Sequence, residues 1–281
     1  MGITLQGLFQ EHFPEYARAH RLPLHVHKAA QAIMQCRTAA LGGHVQACPE
    51  GHVQRVWYNS CKHRACPQCA HLQVDRWLDG QRARRLDCEH YHVVFALPSE
   101  LHGLWQKNPA VMADLLFARA RDTLFELLGD DRYLGAPPGV IACLHTWGRT
   151  LCLHPHVHCL VTGGGWRDGE WHAVSNGYLL PVRGVKAVFR GKLLDAMRQA
   201  VRQGRLALPD ATSASQVERL RSRLGRRTWN VRIEERYAHG RGGVSYRARD
   251  LKGGPIGNHR LLAREEAGVT FRYPESPGRC G

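Results

Sequence analysis

The 281-residue chain has no apolar run near 18 residues, so no helical membrane span is expected. Its opening, MGITLQGLFQEHFPEY, lacks a charged region followed by an apolar one, which argues against a secretory signal. No internal repeat appears, which argues against a solenoid. Acidic residues are the scarce charge: 24 Asp and Glu against 39 Lys and Arg leave a net charge of +15 and a pI near 9.8. Arginine dominates the basic runs LDGQRARRL, LRSRLGRR and RYAHGRGGVSYRARDLKGG. Its planar fork suits two-point phosphate contacts, so nucleic acid is the first candidate partner. A solvated basic surface is the plain alternative.

What is present in quantity is cysteine and histidine, 10 and 18 residues. Without an export signal the thiols are expected to be reduced and intracellular, and clustered thiols favour a metal over disulfides. The length allows one large core, or a medium domain with a small one. Residues 4–40 carry helical spacing in LQGLFQEHF and VHKAAQAIMQ. From Gly42 to Cys69 the text turns to Gly, Cys, His and Pro, and residues 70–87 read as an Arg-rich helix. HYHVVFALP (90–98) is a strand stopped at Pro98, and residues 99–129 read as one or two helices with Ser99 as a cap. GVIACLHTW and LCLHPHVHCLVTGG read as two apolar strands joined by a short Gly-Arg-Thr turn. Residues 186–224 are helical, WNVRIEER is a strand, and 245–252 is a short helix within a Gly-rich loop. This order predicts an α+β fold around an antiparallel sheet.

HVQACPEGHVQRVWYNSCKHRACPQCA holds five candidate zinc ligands: Cys48, His52, Cys61, Cys66 and Cys69. Zinc needs four soft or borderline ligands in a tetrahedron, usually delivered as two close pairs on tight turns. Cys66-Pro-Gln-Cys69 has the knuckle spacing; Cys48 and His52 form a less regular second pair, with Cys61 a possible replacement for His52. A reduced-thiol cluster is one alternative, and a redox CxxC is disfavoured by the lack of a βαβ pattern.

In LCLHPHVHCLVTG, His154, His156 and His158 alternate, so in a strand they share one face. By chance such a run arises in about one chain in fifteen of this composition, so context must decide. If the strands form a hairpin around Arg149 and Leu151, His145 comes opposite or diagonal to His156. Three imidazoles then converge with coordination positions left open, and such a site polarises an oxygen. His154 is a second-layer group or a phosphate contact. Pro155 breaks the ladder, as on an edge strand or at a bulge. Satisfied core histidines are the alternative. In SYRARDLKGG, Tyr246 and Asp250 share a helical face, with Arg247, Arg249 and Lys252 around them. A tyrosine there would attack phosphorus and conserve the bond energy as a phosphotyrosine; an ordinary surface tyrosine is the alternative.

Together these segments resemble one family, the two-tyrosine rolling-circle transposases of bacterial insertion sequences, a branch of the HUH endonuclease superfamily with an N-terminal transposase zinc-binding domain. The matching stretches are CRTAALGGHVQACPEGH with YNSCKHRACPQC, YHVVFALPSEL, LHTWGRTLCLHPHVHCLVTGGG and YAHGRGGVSYRARDLKGGPIGNHRL, in order over residues 36–262. The two histidines around a bulky apolar residue map onto His156-Val157-His158, and His145 matches the place of the third histidine. The resemblance implies an antiparallel HUH sheet flanked by helices, and Mg²⁺ or Mn²⁺ on the histidines beside structural Zn²⁺. It also implies single-stranded DNA from element ends, cut through a 5′-phosphotyrosine on Tyr246 with a free 3′-OH, in the bacterial cytoplasm and nucleoid. Arg247, Arg249, Lys252 and His154 would contact the DNA.

The resemblance divides the chain into a helical and zinc-binding domain at 1–88, a catalytic domain at 89–265, and a truncated or frameshifted tail at 266–281. Two departures stand out. Asp250 occupies the position of the second tyrosine, so full strand exchange would need another hydroxyl or a second protomer; Tyr237 is too far upstream to share the face. A family cysteine pair appears as Cys48 with Gly51, leaving His52 as the substitute. A relaxase or replication initiator would share the chemistry, but the cysteine module favours the transposase. A zinc-stapled DNA-binding remnant without turnover is the second reading. A zinc hydrolase is a distant third, since no acidic base stands at a motif spacing.

Overall fold

The computed structural model describes residues 2–52, 54–84, 86–148, 150–208, 213–237, 254–266 and 268–273. Helices α1 (Leu5–Ala19) and α2 (Leu24–Gln35) precede a hairpin of β1 (Gly43–Ala47) and β2 (Gln54–Tyr58), followed by α3 (Ala70–Arg82). Strand β3 (His90–Ala96) leads through a 3-10 turn at Ser99–Leu101 into α4 (His102–Lys107) and α5 (Pro109–Gly129). A meander of β4 (Pro138–Trp147), β5 (Leu153–Arg167) and β6 (Glu170–Ala173) runs into α6 (Val182–Arg202), α7 (Ala214–Gly225) and β7 (Val231–Tyr237). A hairpin of β8 (Leu261–Glu265) and β9 (Gly268–Phe271) follows. No helix among the described residues is long and apolar enough to cross a membrane.

Residues 99–129 hold two helices, within the one or two expected, but Ser99 caps neither: it opens the 3-10 turn, Pro98 stands at its cap position, and no side-chain cap bond is made. Asn108 makes no cap bond of its own. Its side-chain nitrogen donates to the Ala207 carbonyl at 2.7 Å while its oxygen accepts from the Ala207 N–H at 2.7 Å, so it ties the start of α5 to the chain after α6. The helical stretch expected over 186–224 is two helices: α6 gives way at Gln203, followed by Gly204 with φ of 67°, a conformation that costs glycine nothing.

The described residues divide into two units, one reaching Gly80 and including those from 254 onward, the other running from Gln81 to Tyr237. The division falls within α3, ahead of 88, and residues 254–266 fold with the first unit. There the Leu5 N–H donates to Asn258 Oδ1 at 3.0 Å. In the first unit, Gln6 Nε2 donates to the last carbonyls of α2, Met34 and Cys36, at 3.0 and 2.7 Å. Its small buried cluster is Ile33, Cys36, Cys66 and Cys69 with Leu5, Phe9, Cys61 and Ala65 packed against it. β1 and β2 are exposed along their whole length. Ala30, Ala70, Val74, Leu78 and Ile256 of this unit are buried as well.

The second unit is a five-stranded antiparallel sheet in the order β4-β5-β3-β7, with β6 pairing beyond on β5. This is the α+β antiparallel architecture expected of the sequence. Period-two alternation gives the sheet two distinct faces. Tyr91, Val93 and Phe95, with Val157, Cys159, Val161 and Val231, belong to the large core shared with α5 and α6. Phe189 of α6 is fully buried between Phe95 (ring centroids 4.8 Å apart) and Trp229 (5.7 Å). Each such side chain contributes about 1.5–3 kcal/mol through burial. The alternate residues, among them His92, His145, His156 and His158, lie on the other face.

Candidate functional site

β5 runs between β4 and β3, so its histidines have a strand on either side. His145 is the direct cross-strand partner of His156, and Cys143 that of His158. The hairpin is closed by the Gly148 N–H donating to the Cys152 carbonyl at 2.8 Å, with Leu151 at φ of 65°. Pro155 therefore sits on an inner strand, not an edge. The bulge reading of this residue holds: pairing slips between His145 and Trp147, so that Trp147 meets Leu153. The slip falls where Pro155 has no N–H to give, while its carbonyl still accepts from the Leu97 N–H at 3.0 Å.

One ligand nitrogen from each of His145, His156 and His158 lies within 4.8 Å of the others. His145 and His156 are buried, and the ring centroids of the trio stand 4.5–5.4 Å apart. His156 Nε2 and His158 Nε2 are 2.9 Å apart. Two ligands at right angles on a cation with bonds of about 2.1 Å would be about 3.0 Å apart, so the donors present fit a divalent ion. Burial pushes the His156 imidazole down to about 4, its bond to the His154 carbonyl acting against this and the neighbouring imidazoles adding to it. The ring is therefore neutral near pH 7, the state a metal ligand requires.

Around the trio, Trp147 stacks on His145 with centroids 4.9 Å apart and planes 15° from parallel. His154 is 5.0 Å from His156 between ring centroids and contributes its backbone oxygen to His156 Nδ1 at 2.6 Å. Burial, then the nearby His102 and Arg232, lower the His154 imidazole. On the β3 side, His92 Nε2 stands 2.8 Å from His158 Nδ1, and His92 Nδ1 stands 2.7 Å from Glu234 Oε2.

In the first unit, the thiols of Cys36, Cys61, Cys66 and Cys69 converge within 4.8 Å. Sγ of Cys69 is 3.4 Å from that of Cys36 and 3.6 Å from that of Cys61. A zinc ion with bonds of about 2.3 Å in a tetrahedron sets sulfur pairs about 3.8 Å apart, so the four thiols fit it. Burial drives the Cys36 thiol up to about 11 and raises Cys61 further. Cys69 moves the other way: burial raises it, but the Cys36 and Cys61 thiols that hydrogen-bond to it outweigh that. Cys48 and His52, read from sequence as partners of this set, stand in a separate group with Glu50. There Cys48 Sγ is 3.9 Å and Glu50 Oε2 3.3 Å from His52 Nδ1. Cys36 takes the fourth place because the end of α2 delivers it beside the knuckle.

Tyr246, Arg247, Arg249, Asp250 and Lys252, with the helix expected at 245–252, lie outside the described residues. Sequence reasoning missed Cys36, His92 and Glu234. Cys36 stands 25 positions before Cys61 with no close partner, and with 18 histidines in the chain about one His-x-His pair such as His90-Tyr-His92 is expected by chance. The available signal was that HYHVVFA has the same alternation as the histidine strand, which allows the two strands to share a polar face.

Two family models match the chain, one after the other, with bounds that differ from those of the two structural units. Residues 8–97 match the family model "Transposase zinc-binding domain", and residues 139–279 match the model "Putative transposase". The chain is 35% identical over 281 residues to "Putative transposase y4qJ" of Sinorhizobium fredii, covering 98% of this chain and 71% of that one. It is 33% identical over 246 residues to the "Transposase for insertion sequence element IS801" of Pseudomonas savastanoi pv. phaseolicola, covering 86% of this chain and 58% of that one. Among solved structures, a conjugative relaxase TrwC bound to oriT DNA and metal aligns over 59% of this chain and 73% of that one. It does so at 13% identity and a TM-score of 0.31, too slight a likeness to carry an argument. Two family models in order and a 35% identical relative over nearly the whole chain suffice: the chain belongs to the insertion-sequence transposases that join an N-terminal zinc-binding domain to a transposase domain.

Proposed function

We propose that this transposase cuts and transfers single-stranded DNA from the ends of its element by way of a 5′-phosphotyrosine on Tyr246. The observation that carries the reading is the convergence of His145, His156 and His158 on one sheet face with nitrogens spaced for a divalent ion. His145, His156 and His158 would hold Mg²⁺ or Mn²⁺, which supplies charge to polarise the scissile phosphate. Tyr246 Oη attacks that phosphorus and gives up its proton; the bond from phosphorus to the 3′ oxygen breaks, and the departing oxygen takes a proton to become a 3′-OH. Arg247, Arg249 and Lys252 would hold the backbone, and His154 a neighbouring phosphate. Cys36, Cys61, Cys66 and Cys69 would hold Zn²⁺ as the staple of the first unit. An origin of this protein in the bacterial cytoplasm and nucleoid belongs to the same reading.

Asp250 favours one second reading, a DNA-binding protein that no longer turns over, because it places a carboxylate where a second nucleophile would stand. The two are separated by incubating the zinc-loaded chain with Mn²⁺ and single-stranded oligonucleotides from its element ends. A covalent protein–DNA band on a denaturing gel, lost in Tyr246→Phe and in His156→Ala, is expected. No band from the native chain, with one gained in Asp250→Tyr, would sink the enzyme reading. A band that survives Tyr246→Phe would refute the choice of nucleophile.

A further inference from the structure

We propose that His92 and Glu234 are positioning residues that fix the ring tautomer of His158 and so aim its Nε2 lone pair at the cation. This rests on the metal reading of the histidine trio. Glu234 Oε2 lies 2.7 Å from His92 Nδ1, and a carboxylate only accepts, so the proton of that contact belongs to His92 Nδ1. With one proton on the ring, His92 has its lone pair on Nε2, which then accepts the Nδ1–H of His158 at 2.8 Å. His158 is left with a lone pair on Nε2.

A second chain reaches the same point from the other side. His156 Nδ1 is 2.6 Å from the His154 carbonyl, which also only accepts, so His156 Nε2 carries a lone pair as well. The two lone pairs face each other at 2.9 Å. Such a pair repels unless a positive centre lies between them, and both chains point their donors away from that spot. His92 is suited to a fixed role: it is 1% exposed, and its ring lies nearly parallel to that of His158, 7° apart with centroids at 5.0 Å. A histidine that merely filled the core would need its polar atoms satisfied but would have no reason to set the direction of a relay. Metal-bound imidazoles commonly take their orientation from a carboxylate or carbonyl on the other nitrogen; here an imidazole is interposed between carboxylate and ligand.

The test uses the full zinc-loaded chain, with Mn²⁺ binding followed by calorimetry. His92→Phe and Glu234→Leu remove the acceptor at each step and should weaken Mn²⁺ binding by about 10- to 100-fold. Glu234→Gln keeps an oxygen that accepts the same N–H and should bind close to the native level. Long-range ¹H–¹⁵N spectra of the protein loaded with diamagnetic Mg²⁺ should show the His158 proton on Nδ1 in the native chain and in Glu234→Gln, and a mixture of tautomers in Glu234→Leu. Native Mn²⁺ affinity in both His92→Phe and Glu234→Leu would overturn the proposal, as would a native His158 protonated on Nε2. If the native chain binds neither Mn²⁺ nor Mg²⁺, the metal reading fails instead, and spectra of the unloaded chain still decide whether Glu234 holds the His92 proton on Nδ1. Should His92→Phe unfold, Glu234→Leu carries the test, since that side chain is one-third exposed.

Discussion

Cys36→Ser removes one of four thiols whose sulfurs already stand at 3.4 and 3.6 Å along two edges, close to the zinc-tetrahedron edge of about 3.8 Å. A structural zinc site contributes about 10–16 kcal/mol, so one ligand of four carries about 3–4 kcal/mol, or two to three orders of magnitude in affinity. Cys48→Ser and His52→Ala touch the separate group with Glu50 and should leave that affinity intact. Zinc content by native mass spectrometry, with competition against a chromogenic chelator, measures both. The pH dependence is a second readout. Burial holds Cys36 near 11 and Cys61 higher still, so at pH 7 to 8 both enter the site as thiols and must shed their protons on binding. Apparent affinity should therefore rise with pH, by about 100-fold per unit for two protons released. Retention of native zinc affinity in Cys36→Ser, with its loss in Cys48→Ser or His52→Ala, would refute the ligand set drawn from the geometry.

Phe189→Ala opens a void between Phe95 and Trp229 under the sheet and should cost about 3–5 kcal/mol in denaturant unfolding of the second unit. Asn108→Ala removes two hydrogen bonds to Ala207, an exposed residue whose backbone water can reach, and should cost about 1–2 kcal/mol, while Asn108→Asp, which can still accept from that N–H, should lose less. His156 supplies a pH test in protein free of divalent cation at the histidines. Its folded value of about 4 lies below the ordinary 6.5, so the unfolded chain takes up the proton first as pH falls. That stabilisation is complete above pH 6.5 and disappears as pH drops toward 4, a loss of about 3 kcal/mol. His156→Gln should lack this part of the acid dependence, and identical pH profiles for the two proteins would contradict it.

The histidine strand shows how far local pattern reaches. Alternation in LCLHPHVHCL put His154, His156 and His158 on one face, and hairpin arithmetic put His145 beside His156; the register His145↔His156 agrees. Period two is a property of the strand itself, so it survives in the sequence. The neighbour on the other side is different. β3 precedes β5 by some sixty residues and β7 follows it by as many, and nothing local states that His92 and Glu234 will meet His158. Their partnership depends on strand order, which is set by the packing of α5 and α6 against the opposite face.

The cysteine module repeats the lesson in a smaller frame. The sequence by itself determined the basic charge, the CxxC knuckle, the strands with their histidine face and the α+β class, because each rests on composition or on spacings shorter than a turn or a hairpin. Only the tertiary structure decided that Cys36 completes the thiol set in place of Cys48 and His52. It alone placed Pro155 at a bulge of an inner strand, and it alone brought His92 and Glu234 beside the histidine trio. These contacts join residues far apart along the chain, and their geometry is fixed by how helices and strands bury their apolar sides against each other.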